Sequence, residues 1–227
     1  MHRITEGITS VRRIVVFFDI CSSTTLLEDL LLTENESRWL DLLTGLKRFL
    51  RIKSKETGFE IYKFLGDGWI LLFDEDDITG EDLMLFLAGL CLEYKQLFKS
   101  NVSDVLSTKD FLLGLTFGID LGTLVKTVMN ERLEYIGRAL NVAARLQDAI
   151  KQKDSAPCGK LLISKHAFKR LGISSVPRVR AWLVERALRN ISGGQHFQAY
   201  KVEILSRNGS RTSCLVVAEP PHIPWQQ

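Results

Sequence analysis

The run "RIVVFFDI", Arg13 to Ile20, constrains the fold of this chain more than any other stretch. It is an almost unbroken series of apolar β-formers. A strand with apolar side chains on both sides must be covered on both faces, so the run predicts a central strand of a layered domain. It ends on a carboxylate, Asp19, and passes at once into Ser22, Ser23, Thr24 and Thr25. A carboxylate at the end of a buried strand has to meet water, a cation or a metal ion. The hydroxyl-rich turn after it predicts a capped helix start.

Later segments keep the same rhythm. "SRWLDLLTGLKRFLRIKSKETG" repeats apolar residues at helical spacing (Trp39, Leu42, Leu43, Leu46, Phe49, Leu50) and predicts a helix ending near Gly58. "FEIYKFLGDGWILLF" predicts two strands around a tight turn at Leu65-Gly66-Asp67-Gly68. "TGEDLMLFLAGLCLEYKQLFKS" and "RALNVAARLQDAIKQK" predict two further helices, with a strand or strand pair bent at glycines, "FLLGLTFGIDLGTLVKTV", between them. "KLLISKHAFKRLG" predicts a strand and a short helix, and "ERALRNISGGQHFQAYKVEIL" a closing hairpin. This order predicts one mixed sheet with helices packed on it, over residues 1–205. Residues 206–227 hold three of the five prolines and predict a loose extension.

Composition narrows the classes. Hydrophobic residues make up 45% of the 227, enough for one substantial core. The net charge of +3 comes from 30 basic and 27 acidic residues without a dense basic run, which argues against nucleic-acid binding. Cys21, Cys91, Cys158 and Cys214 are scattered, with no C-x-x-C pair, so thiols in a reducing compartment are expected rather than a zinc knuckle. The first residues lack the apolar core of a signal peptide, and "TTLLEDLLL" and "DLMLFLAGLCLEY" are too short and too acidic to span a bilayer. A soluble, cytoplasmic protein without a membrane partner is the expectation.

Asp19 and Asp67 carry the chemistry. Two carboxylates at adjacent strand ends suit a pair of magnesium ions, which take hard oxygen ligands, phosphates and waters. The carbonyl of Ile20 is a further oxygen. The turn from Cys21 through Ser22 and Ser23 to Thr24 offers backbone N–H groups at a helix start, a seat for phosphate. Taken singly, each aspartate also reads as an ordinary cap or turn residue. Asn141 and Arg145 are four apart and share one helix face. An amide and a guanidinium together suit a ribose oxygen and a phosphate oxygen, and equally form a solvated polar stripe.

In this order and separation, "FFDICSST", "KFLGDG" and "YIGRALNVAARL" resemble the three hallmark blocks of the class III nucleotidyl cyclase family. The resemblance spans Arg13 to Val202. It implies an α+β fold with a ferredoxin-like βαββαβ core, and a head-to-tail homodimer with active sites at the interface. It implies a nucleoside triphosphate substrate, two Mg²⁺ or Mn²⁺ ions per site, and release of a 3′,5′-cyclic nucleotide and pyrophosphate. On this resemblance Asp19, Asp67 and the Ile20 carbonyl hold metal, and Cys21, Ser22, Ser23 and Thr24 form the phosphate turn. Lys63 and Glu134 contact the base, and Asn141 and Arg145 position the ribose and stabilise the transition state. Arg189 is the nearest match to the family's triphosphate-binding cation, at an unusual spacing.

Glu134 is one methylene longer than the usual base-reading aspartate, which shrinks the pocket. The short chain, with "SRW" and "EIYKFLGDGWILLF", also resembles the pyrimidine cyclases of bacterial Pycsar anti-phage systems. That resemblance implies cyclic UMP or cyclic CMP as an alarm signal acting on a separate downstream effector, with uracil the favoured base. Two alternatives stand beside it: an adenylate cyclase, which Lys63 fits, and an inactive cyclase-homology module that only binds nucleotide. The Gly-Gly-Asp/Glu-Glu-Phe run of diguanylate cyclases is absent.

Overall fold

A computed structural model describes residues 9–107, 112–154, 158–177 and 179–204. The predicted extension, residues 206–227, lies outside them. The apolar run is the body of β1 (Thr9–Ile20), which lies between two antiparallel neighbours, β3 (Gly68–Asp74) and β4 (Leu115–Met129). Successive side chains of a strand point to opposite faces. Ile14, Val16, Phe18 and Ile20 enter the larger core, where α1 (Ser23–Leu32), α2 (Glu36–Thr57), α3 (Gly80–Asn101) and α5 (Lys165–Arg170) pack. Val15 and Phe17 face the other way, toward Leu124, Ala139 and Ala143 under α4 (Arg138–Lys153). Coverage on both faces is what the unbroken apolar run requires.

The sheet has eight strands. β2 (Glu60–Phe64), β6 (Lys160–Ser164), β7 (Arg180–Arg186) and β8 (Phe197–Glu203) complete the path β2-β3-β1-β4-β6-β8-β7, and β5 (Arg132–Ile136) pairs with β4 outside it. All neighbours are antiparallel except β4 and β6. This is the mixed, mainly antiparallel α+β sheet that the sequence predicts. The predicted helix end at Gly58 is observed, in a left-handed conformation that glycine adopts without strain (φ 76°).

Four details differ from expectation. The glycine-rich stretch is one continuous strand of 15 residues rather than a bent pair. Its glycines serve close packing: a Cβ on Gly118 would lie 2.1 Å from the Ala143 carbonyl oxygen and 2.3 Å from the Gln147 nitrogen. β5 escapes sequence reading because it is short and carries charged residues, with Leu133 and Ile136 exposed. The first strand of the closing hairpin, β7, begins upstream of the stretch that predicts it and overlaps it only at Glu185 and Arg186. Finally, no side chain caps α1: Ser22, at the N-cap position, is left-handed (φ 55°), and the hydroxyls do not bond the helix start.

Gly118→Ala is expected to destabilise the fold by about 1–3 kcal/mol, because the new methyl meets backbone atoms that cannot rotate away. A lower urea midpoint with an unchanged slope is the expected result. An unchanged midpoint would show that α4 does not need its close seat on β4.

Candidate active site

Register brings the two aspartates together. Asp19 stands opposite Gly68 on β3 and opposite Thr116 on β4, so Asp67, one residue before Gly68, lies beside it. The Ile20 N–H donates to the Asp67 carbonyl at 3.2 Å. The strands approach closely here, and a Cβ on Gly68 would lie 2.1 Å from the Phe18 carbonyl oxygen. Asp19 falls on the same face as Val15 and Phe17, under the last turns of α4.

The carboxylates are crowded. Burial, followed by a hydrogen bond with Asp67, pushes Asp19 up to about 6 against the opposing pull of Lys151. Ser23 Oγ donates to Asp67. Lys151 pairs with Asp19, and Gln147 Nε2 lies 3.0 Å from Thr116 Oγ1 and 3.4 Å from Asp19 Oδ2. Two hard-oxygen carboxylates in contact fit a divalent cation. Among the described residues no group of three His, Cys, Asp or Glu side chains could hold a metal. A metal between Asp19 and Asp67 would therefore need backbone, water or substrate oxygens as well, and the Ile20 carbonyl is the backbone oxygen the sequence predicts.

The turn after Asp19 is set up differently from the expected capped helix. The Cys21 N–H already donates to the Gly114 carbonyl at 2.9 Å, and its thiol is buried. A side-chain hydrogen bond with Cys158, then burial, pushes that thiol up. Cys21 therefore supports the turn from behind. The left-handed Ser22 and the uncapped start of α1 at Ser23 and Thr24 leave backbone amides available to an anion.

Asn141 and Arg145 are exposed on α4. Lys151 of the same helix touches Asp19, and at 1.5 Å per residue Arg145 and Asn141 begin about 9 and 15 Å back along the axis. Their side chains lie on the solvent stripe, whereas Val142, Leu146 and Ile150 are buried. The pair is not gathered around the aspartates of its own chain. Arg189 is also remote. It lies beyond Arg186, the last residue of β7, at the sheet end opposite to Asp19, where Arg138 at the start of α4 donates to the Ser192 carbonyl at 3.3 Å.

Lys63 and Glu134 do come together, across β2 and β5, at 3.4 Å. Tyr62 donates its hydroxyl proton to Glu134 and accepts the Tyr135 N–H at 3.1 Å. That hydroxyl bond, then the Lys63 charge, holds the Glu134 carboxyl below its usual range. Lys63 and Glu134 line a cleft of about 510 Å³ with Met129, Asn130, Arg132 and Ile136. Sequence reading misses Tyr62, Gln147 and Lys151. Tyr62 reads as an ordinary β-former. Gln147 and Lys151 are four apart on the helix that carries Asn141 and Arg145, but a lysine in a last turn reads as a partner of the helix dipole.

No family model and no curated protein matches the sequence. Solved structures do match. The adenylyl cyclase CyaB from P. aeruginosa superposes with a TM-score of 0.66 at 22% identity, over 88% of this chain and 97% of that one. The guanylyl cyclase Cya2 gives 0.62 at 16% identity, over 92% and 100%. A bacterial light-regulated adenylyl cyclase gives 0.64 at 20% identity over 88% of this chain, which spans about half, 54%, of that protein. The chain has the fold of a class III cyclase catalytic domain. In the described residues no helix is long and apolar enough to cross a membrane.

In metal-free protein, Asp19→Asn is expected to be more stable than the parent at pH 8. The folded-state value of about 6 exceeds the unfolded value of about 3.9, so the parent loses stability as pH rises through that window. Below pH 4 the advantage should disappear. Urea denaturation at both pH values measures it, and an equal difference at each would contradict the crowding of Asp19.

Proposed function

We propose that this protein is a nucleotide cyclase, converting a nucleoside triphosphate into a 3′,5′-cyclic nucleotide and pyrophosphate. The observation that carries the reading is Asp19 and Asp67 in contact beside the uncapped, left-handed turn at Ser22, on a cyclase fold. Asp19, Asp67 and the Ile20 carbonyl would hold Mg²⁺ or Mn²⁺, which would supply activation of the ribose 3′-hydroxyl and neutralise phosphate charge. The amides of the turn from Ser22 to Thr24 bind phosphate oxygens. Asn141 orients the ribose, and Arg145 offsets charge that builds on the α-phosphate.

The outward stance of Asn141 and Arg145 supports a shared site. Two copies arranged head to tail bring the α4 stripe of one chain to the aspartates of the other, giving two equivalent sites. Arg189, at the same sheet end as the start of α4, would then approach the triphosphate from the partner. Exposed apolar side chains near the cleft (Phe64, Met129 and Ile136) favour such a contact.

For the base we favour a pyrimidine, with cyclic UMP or cyclic CMP as the product and anti-phage signalling to a separate effector as the role. Glu134 offers an acceptor and Lys63 a donor. Every base presents a donor beside an acceptor, so this pair sets orientation, and size does the selecting. Glu134, one methylene longer than the usual aspartate and tied to Tyr62, supports a pocket that favours the smaller base. Adenylate cyclase activity is the second reading, favoured by Lys63 and by the adenylyl cyclases among the structural neighbours. The domain as proposed covers residues 1–205, followed by the extension, in the cytoplasm.

Incubation with ATP, GTP, CTP and UTP and Mn²⁺, followed by mass identification of the product, tests both levels. A cyclic pyrimidine nucleotide is expected. Predominant cyclic AMP would replace the pyrimidine reading, and no cyclic product from any substrate would favour a nucleotide-binding module.

Asp67→Ala and Arg145→Ala should each be inactive alone. Mixed in equal amounts under exchange, they should recover about a quarter of parent activity, since half of the dimers carry one intact site of two. No recovery, with subunit exchange verified, would argue against sites built from two chains.

A further inference from the structure

We propose that Lys151 is a built-in counter-cation whose ammonium holds Asp19 in the metal-free site and competes with the divalent metal for that carboxylate. The inference rests on reading Asp19 and Asp67 as metal ligands.

The geometry fixes Lys151 in place. α4 sits so close over β4 that a Cβ on Gly118 would strike Ala143 and Gln147 backbone atoms, which sets the height of its last turns above Asp19. Gln147, one turn before Lys151, bonds Thr116 at 3.0 Å and sets the rotation. From that seat the Lys151 ammonium reaches Asp19, with side-chain exposures of 34% and 19%. Among the described residues no other ion pair involves Asp19 or Asp67, so Lys151 provides the site's own positive charge. Among the described residues, the other polar contacts of the two carboxylates are their hydrogen bond to each other and those from Ser23 and Gln147, both neutral.

A metal ion that binds Asp19 meets a like charge already on that carboxylate. It must displace the ammonium or bind beside it, and either weakens binding. Lysine suits the exchange because its stem is flexible and its ammonium is a compact point charge. After release it remains in the last turn of α4, where a cation is favoured by the carbonyl end of the helix. Arginine would keep the charge, whereas methionine would keep the length of the stem and remove it.

Mn²⁺ titration of the full chain without nucleotide, followed by the electron paramagnetic resonance signal of free Mn²⁺, tests this directly. Lys151→Met and Lys151→Gln are expected to tighten Mn²⁺ binding by about tenfold or more, as removal of one adjacent charge shifts a carboxylate's affinity for a cation. Lys151→Arg should stay within about threefold of the parent, and Asp67→Asn should bind most weakly. If both uncharged variants bind Mn²⁺ no more tightly than the parent while Asp67→Asn loses it, the inference fails and the metal reading stands. If neither the parent nor any Lys151 variant binds Mn²⁺, the metal reading fails and takes the inference with it.

Discussion

The site depends on the register of β1. Antiparallel pairing sets Asp19 against Gly68 and Thr116, and a slip of one residue would turn every side chain of the strand to the opposite face. Asp19 would then point into the core that holds Phe18 and Ile20. Hydrophobic burial prevents the slip. Ile14, Val15, Val16, Phe18 and Ile20 are fully buried, and each such side chain contributes about 1.5–3 kcal/mol. That driving force exceeds the cost of crowding two carboxylates at the strand end. The raised Asp19 value is the local mark of this balance: the core holds the acids in a contact they would not adopt alone. Gly68 matters for the same reason, since only a residue without a side chain lets the hairpin come this near to Phe18.

Most of the fold is legible in the sequence because its signals are strong and local. The β1 run, the long amphipathic patterns of α2, α3 and α4, and the Gly66-Asp67-Gly68 turn each announce one element. Elements without a clean period are lost: β5 is short, charged and half exposed, and β7 starts before its own pattern is visible. Glycine is ambiguous for a physical reason. A glycine inside a strand marks a bend or a close neighbour, and at Gly118 the neighbour is α4, which no local pattern encodes.

The site is legible in a different way. The aspartates and the Asn141–Arg145 pair stand out only when several short blocks are read together, because each alone is an ordinary turn, cap or polar stripe. Contacts between distant elements are invisible at that level. Lys151 and Asp19 are 132 residues apart, and Tyr62 and Glu134 are 72 apart. Neither pair leaves a spacing to find. The hydroxyl-rich turn fails as a cap because Ser22, at the N-cap, is left-handed and makes no side-chain bond to the helix start; Ser23, the first helical residue, donates its hydroxyl to Asp67, so the helix start stays open while the carboxylate gains a donor.

The asymmetry of α4 links these observations. One edge of the helix, Gln147 and Lys151, turns inward and satisfies the chain's own Asp19. Another stripe, Asn141 and Arg145, faces solvent, on the same rigid rod and fixed by the same buried residues. A single helix in one orientation cannot bring both groups to one pair of aspartates, because they point in different directions and are spread along its axis. If all four side chains serve one kind of site, they serve it in two places: Gln147 and Lys151 within their own chain, Asn141 and Arg145 across to another. Seating α4 against Gly118 then orients the inner edge and the outer stripe together. A change in that seat would disturb both edges of the helix at once, so a single backbone contact between β4 and α4 governs the inward-facing and the solvent-facing residues together.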